Sequence, residues 1–280
     1  MTAKDKAESK MKTFLNWLKA NGAIFDKVDY PVYVNGVRSA VAKEVIEPGE
    51  AFIFIPNNLL ITVEHARTSE LEEVFKSHDQ LFVSNPDRDF FILIVFFLFE
   101  RTTKKEDSFW HPFFEQLPNA KYPALWDPKL LLELDDPELL ISLKSSKDKV
   151  EKDWENVQKL MDLYPHYFMN VTRADFDWAV YNVSTRCFDA PPTTANVPLC
   201  DALNHKNRSK IQHMFVHKNL HLQSNKIYLY ETDYETFYYD ESESKQHVNV
   251  ARLFREDTVA DASLVQGQYP DPPEQHPDCF

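Results

Sequence analysis

The sequence predicts an α+β protein, an antiparallel β domain made discontinuous by a large helical insertion. Three observations carry this expectation. Short strand signals flank Asn35-Gly36 and Pro48-Gly49 near the start of the chain. A mostly helical pattern then runs from about Val63 to Ala179, and short strand signals return beyond His205. Strands, then helices, then strands fit one domain that is interrupted rather than an alternating β-α-β protein. The expected divisions are an N-terminal helix over 1–21, a first β half over 22–66, a helical insertion over 67–180, a second β half over 181–255 and a tail over 256–280.

Each element has a local reason. Met11, Phe14, Leu15 and Leu18 share one face of a helix from about Lys6 to Ala20, and Asn21-Gly22 supplies its stop. Val32-Tyr33-Val34 and Val37-Arg38 flank Asn35-Gly36, the strongest short hairpin signal in the chain. Ala40 to Ile46 and Ala51 to Ile55 flank Glu47-Pro48-Gly49-Glu50, where Pro then Gly suits a type II turn. The continuously apolar stretch Phe90 to Phe99 follows Asn85-Pro86-Asp87 and reads as a buried helix. It is far shorter than the roughly 20 residues a bilayer span needs. Ile141 to Tyr164 carries apolar residues at helical spacing among charges. Thr172-Arg173-Ala174-Asp175 resembles a capping box that opens one more helix. Met214-Phe215-Val216 and Lys226 to Tyr230 are the later strand candidates, and the tail from about Asp261, rich in Pro, Asp and Gln, is expected to be disordered.

Composition removes several function classes. Hydrophobic residues at 43%, with 21 Phe and 12 Tyr, indicate a folded, aromatic-rich protein. Only 4 glycines are present, and neither a G-x-G-x-x-G nor a P-loop pattern occurs. Dinucleotide oxidoreductases and P-loop kinases are therefore poor candidates. A net charge of -13 argues against binding nucleic acid through its phosphates, and is compatible with a basic protein as partner or with plain solubility. Three cysteines, Cys187, Cys200 and Cys279, form neither a disulfide framework nor a CxxC site, which suits a reducing compartment. Met1 to Lys12 is charged, without the apolar core of a signal peptide. No membrane association is expected, and nothing in the sequence bears on oligomeric state.

The most informative segment is Val197-Pro198-Leu199-Cys200-Asp201-Ala202-Leu203-Asn204-His205. A short apolar run carries the backbone inward and ends in three polar groups. Buried polar groups need partners or cost a few kcal/mol, about 1–3 each. A capping Asp with an exposed His after an ordinary strand is the alternative reading.

That segment resembles a run in SET-domain protein methyltransferases of the Rubisco large-subunit and actin-histidine type, where it leads into a knot-like cofactor site. Arg38-Ser39-Ala40-Val41-Ala42-Lys43 through Ile46, Pro48-Gly49-Glu50, and Ile55-Pro56 through Leu59-Leu60-Ile61-Thr62-Val63-Glu64 resemble the family's opening strands. Ser108-Phe109-Trp110-His111-Pro112 with Leu117-Pro118 looks like its helical insert, and Trp178-Ala179-Val180 with Ser184-Thr185-Arg186 like the approach to the cofactor. These segments keep the family's order over most of residues 20 to 206. The resemblance implies a SET-type fold with S-adenosylmethionine as cofactor and a non-histone protein as substrate, methylated on lysine, with histidine as the other acceptor. It also implies residence in the cytoplasm, with the nucleus as a second compartment.

The resemblance further implies cofactor-binding roles for four residues. Asn204 and His205 hold the cofactor through the Asn side chain and the backbone around His, Asp201 braces the turn, and Arg186 meets the cofactor's carboxylate. Without the resemblance, Asp201 reads equally as a cap and Arg186 as a surface residue. Two departures stand out. The family's first cofactor turn usually carries two glycines, where this sequence has Val37 and Ser39. The family's Tyr-Gly strand, which carries the channel tyrosine, has no counterpart here, so no catalytic residue is assigned. A SET-like binding protein without activity, or an incomplete gene product, is the corresponding alternative.

Methyl transfer from a sulfonium to an amine is an in-line displacement that needs no metal. A lysine with a pKa near about 10.4 must first lose its proton, which a narrow apolar channel favours. His213, His217 and His221 recur every four residues and could share a face. With no carboxylate in the run, they read as the solvated face of a strand, and no metal is expected.

Overall fold

A computed structural model describes residues 3–46, 51–190 and 193–204, and beyond them the strands at 211–217, 225–231, 238–242 and 248–252. The helices are α1 (Ala3–Ala20), α2 (Val63–Arg67), α3 (Glu72–Ser77), α4 (Asp79–Val83), α5 (Arg88–Leu98), α6 (His111–Phe114), α7 (Pro128–Leu131), α8 (Pro137–Leu163) and α9 (Arg173–Arg186). The strands are β1 (Val28–Val34), β2 (Val37–Ala42), β3 (Ala51–Pro56), β4 (Ile61–Thr62), β5 (Cys187–Ala190), β6 (Thr193–Asn196), β7 (Ile211–His217), β8 (Asn225–Glu231), β9 (Tyr238–Ser242) and β10 (Val248–Arg252). All pairings among them are antiparallel. The architecture is α+β, as the sequence predicts.

The chain divides into two compact units, Met1–Trp17 with Leu60–Asp201, and Leu18–Leu59 with Ala202–Phe280. The first unit is mainly helical and is built around α5. Every residue from Phe91 to Leu98 is buried, so α5 is a core helix on all sides rather than an amphipathic one. α9 packs against it. Phe97 lies 5.1 Å from Phe114, edge to face, and 5.9 Å from Trp178 at a tilt, ring centre to ring centre. The α5 helix runs on as a π-helix over Phe99–Lys104. Within that segment Glu100 is buried and accepts a 2.6 Å hydrogen bond from Ser108 Oγ. Arg101 lies 3.8 Å from the Trp178 ring centre.

α9 begins with the capping box that the sequence signals. Thr172 Oγ1 accepts from Asp175 N–H at 3.2 Å, and the Asp175 carboxylate accepts from Thr172 N–H at 3.0 Å. The same unit holds a small sheet in the order β4-β6-β5, with Ile61 opposite Asn196 and Cys187 opposite Asn196 on the other side.

The second unit carries the outer strands. β1 and β2 form the expected hairpin, with Val34 opposite Val37. Asn35 and Gly36 both take positive φ, 51° and 80°, as the tight hairpin turn requires. β2 ends at Ala42, short of the Ile46 the sequence suggested, and the turn at 47–50 lies outside the described residues. β3 pairs with β8, and β8 with β7, so the later strands complete a sheet begun before the helical insertion. α1 ends on Gly22 at φ 90°, where Gly22 N–H and Ala23 N–H donate to Lys19 O and Leu18 O. The tail beyond Arg252 lies outside the described residues.

Candidate functional site

Arg186 closes α9, where the carbonyl end of a helix favours a cation. β5 and β6 then carry the chain out and back, and Val197, Leu199 and Cys200 are buried to 2% exposure or less. The apolar run thus enters the core as the sequence indicates. Leu199 then takes φ 71°, the left-handed region that a branched side chain rarely adopts. Such a conformation costs of order 1–3 kcal/mol and concentrates at functional positions. The Asp201 N–H donates to Val197 O at 3.1 Å across this bend.

The bend brings Asp201 to Arg186. Nη1 of Arg186 donates to the Asp201 carboxylate at 2.9 Å and to the Asp201 carbonyl at 3.0 Å. Both side chains are sequestered, with 18% and 4% exposure. Arg186 Nε is also buried, and has no hydrogen-bond partner among the described residues. In a guanidinium, Nε and Nη2 form one planar fork and Nη1 lies on the other side, so a partner held at Nη1 leaves the fork for a second anion. A carboxylate fits it by charge and spacing.

Cys200, and Cys187 to a lesser degree, are enclosed beside this pair. Burial, and then the Asp201 charge, push both thiols up, so neither forms a thiolate near neutral pH. Cys187 Sγ donates to Asn196 Oδ1 at 3.2 Å. Thiol nucleophile chemistry therefore has no support at these two residues.

Asn204 belongs to the second unit. Its Nδ2 donates to Ser39 Oγ at 2.8 Å and to the Arg38 carbonyl at 3.2 Å, tying the end of the motif to β2 across 165 positions of sequence. Ser39 Oγ in turn donates to Val37 O at 3.1 Å. Asn204 is itself exposed. In the sequence Ser39 stands in the family-like Arg38-Ser39 segment and in place of a usual glycine, but nothing there marks it as the partner of Asn204. The Leu199 bend had no signal in the residue types.

Arg186 and Asp201 are brought together in one unit, and Asn204 meets β2 in the other. His205 lies outside the described residues. Of the spaced histidines, His213 and His217 fall on β7 opposite Leu229 and Asn225, and His221 lies outside the described residues. Among the described residues, no three metal-ligating side chains gather.

The fold defines a class. A solved SET domain of LSMT bound to lysine and AdoHcy superimposes with a TM-score of 0.65 at 20% identity, covering 88% of this chain and 50% of that one. Rubisco LSMT bound to AdoMet superimposes at 0.63, with 20% identity, 85% of this chain and 55% of that one. The fold is that of a SET domain. In sequence, the chain is similar to actin-histidine N-methyltransferases of Homo sapiens and Otolemur garnettii, 28% identical to each over 228 residues. Those matches cover 74% of this chain and 36% of each relative, so the chain spans about a third of their length. The relative from Xenopus tropicalis matches at 28% over 218 residues. No protein-family model matches the chain.

Proposed function

We propose that the chain is the cofactor-binding part of an S-adenosylmethionine-dependent protein N-methyltransferase that modifies a lysine side chain of a non-histone protein. The observation that carries this reading is the Arg186–Asp201 pair at the end of a motif in a SET fold, with Arg186 Nε buried and unpartnered among the described residues. The cofactor's amino-acid end carries a carboxylate, which matches the open fork of Arg186 in charge and shape. Asp201 sets the Arg186 rotamer, so the fork is in place before the ligand arrives. In the second unit, Asn204 is oriented by Ser39 and offers its amide oxygen to a donor on the same cofactor; His205, the remaining residue of the reading, lies outside the described residues. S-adenosylmethionine, when bound, supplies an electrophilic methyl group on its sulfonium.

Cys187 and Cys200, both held away from the thiolate form, offer no nucleophile, and an acceptor amine must reach the methyl group without its proton, which burial favours. Solved neighbours named as bound to lysine and monomethyllysine support lysine as the acceptor. Histidine is the second reading, supported by the named activity of the curated relatives. Two free thiols, Cys187 and Cys200, support residence in a reducing compartment, with the cytoplasm, and also the nucleus, as the location. No helix of the described residues is long and apolar enough to cross a membrane.

The test begins with calorimetric titration of S-adenosylmethionine into the chain. Methyl-labelled cofactor is then offered with lysine-bearing proteins and with actin, and the modified side chain is read by mass spectrometry. Labelled lysine supports the proposal and labelled histidine moves the acceptor. Binding without transfer favours a SET-like binding protein, and absence of binding refutes the reading.

A further inference from the structure

α8 is 27 residues long, yet its buried side chains begin only at Val150. The turns before that point, with α7 and the connection between them, carry aliphatic side chains of which half are half-buried and half exposed. Leu130, Leu132, Leu139 and Ile141 are exposed, Leu132 at 78% and Ile141 at 70%. No aliphatic residue between 130 and 143 is buried. Single exposed apolar residues need no explanation, but a run of this density marks a surface that associates.

The same stretch is acidic. Glu133, Asp135, Asp136 and Glu138 are all exposed, and no basic residue stands between Lys129 and Lys144. Asp136 is committed to capping α8, accepting from Leu139 N–H at 3.0 Å. Glu133, Asp135 and Glu138 form no ion pair among the described residues. Glu138 and Ile141, three apart on α8, lie on neighbouring positions of one helix face, so charge and apolar surface are interleaved.

The sign of the charge selects the occupant. A second copy would bring this acidic stretch against acidic surface of a chain whose net charge is -13, and an anionic lipid surface would be repelled in the same way. We propose that α7, the 132–136 connection and the first turns of α8 dock a basic amphipathic segment of a partner protein. Its apolar side chains cover Leu132 and Ile141, and its Lys or Arg side chains meet Glu133, Asp135 and Glu138. This surface is independent of the cofactor reading.

The probe is a synthetic amphipathic helix of Leu and Lys, with its Leu and Glu counterpart as control, titrated against the whole chain by fluorescence anisotropy. The Leu/Lys peptide is expected to bind, and more weakly as salt is raised. The pair Leu132→Ser and Ile141→Ser is expected to weaken binding by about tenfold or more. The pair Glu133→Gln and Asp135→Asn is expected to flatten the salt dependence. Both pairs are exposed, so circular dichroism should match the parent. Equal binding of the Leu/Glu peptide, no binding at all, or binding indifferent to the Leu132 and Ile141 changes overturns the proposal. A dimer in sedimentation equilibrium that the Leu132 and Ile141 changes abolish also overturns it, since a second copy would then cover the face.

Discussion

Arg186 and Asp201 are joined twice through a single nitrogen, with Nη1 donating to the carboxylate at 2.9 Å and to the backbone carbonyl at 3.0 Å. The two contacts fix the guanidinium plane as well as its position. A contact with the carboxylate alone would leave the guanidinium free to swing about that one bond. The cost of this arrangement is a carboxylate at 4% exposure, tolerable only while its cation is present.

Removing the cation should therefore be expensive. Arg186→Met keeps much of the side-chain volume but strands the Asp201 charge, and unfolding free energy is expected to fall by about 3 kcal/mol. Urea denaturation measures it. Arg186→Lys retains the charge but not the planar fork. Its stability should lie between the two, while affinity for S-adenosylmethionine should drop by about tenfold in calorimetry, because a point charge cannot hold a carboxylate at two donors.

Ser39 offers a gentler perturbation on the other side of the motif. Ser39→Ala removes the 2.8 Å acceptor for Asn204 but leaves the Arg38 carbonyl at 3.2 Å. The loss of one neutral hydrogen bond should cost about 1 kcal/mol in denaturation. Its effect on cofactor affinity should exceed that on stability, since a freed Asn204 amide no longer presents its oxygen in one direction.

Local rules made the elements legible and non-local ones did not. Asn35-Gly36 dictates its hairpin because both residues tolerate positive φ, and Thr172 with Asp175 dictates a helix start through bonds three residues apart. The continuous apolar run near Phe91 announced a buried helix but not the π-helix after it, which depends on packing around Glu100 and Arg101. At the motif, it is the family resemblance and not the residue types that implies roles for Arg186, Asp201, Asn204 and His205. The sequence did not disclose that Leu199 bends backward, or that Ser39 receives Asn204, because both depend on contacts with distant chain. The pairing of β3 with β8 rather than with its neighbour β2 was hidden for the same reason.

The capping box at Thr172 gives a clean test of helix α9, which delivers Arg186. Thr172→Ala deletes the acceptor for Asp175 N–H and the hydroxyl that donates to the Asp175 carboxylate at 2.6 Å. A loss of about 1 kcal/mol in thermal or urea unfolding is expected, as for caps in general. Thr172→Ser keeps the oxygen and should lie within a few tenths, about 0.5 kcal/mol, of the parent.

Glu100 sets a pH dependence whose sign can be worked out. Burial raises its carboxyl above the ordinary value, and the Ser108 hydroxyl bond and the Lys104 charge oppose that shift without cancelling it. The unfolded chain releases this proton near the usual pH of about 4.3. Below that, both states are protonated and burial carries no charge penalty. As pH rises through the unfolded value, the folded protein keeps a proton that the unfolded chain has lost, and stability falls until the folded group ionises too. Glu100→Gln removes this titration while keeping an acceptor for Ser108. The variant's unfolding free energy relative to the parent is expected to climb as pH rises above the unfolded carboxyl's value and to level off once the folded carboxyl has ionised. Ser108→Ala, which deletes the donor favouring the charged form, should carry the parent's decline to higher pH. Parallel urea curves at several pH values decide it, and a pH-independent difference for Glu100→Gln would show that the carboxyl titrates alike in both states.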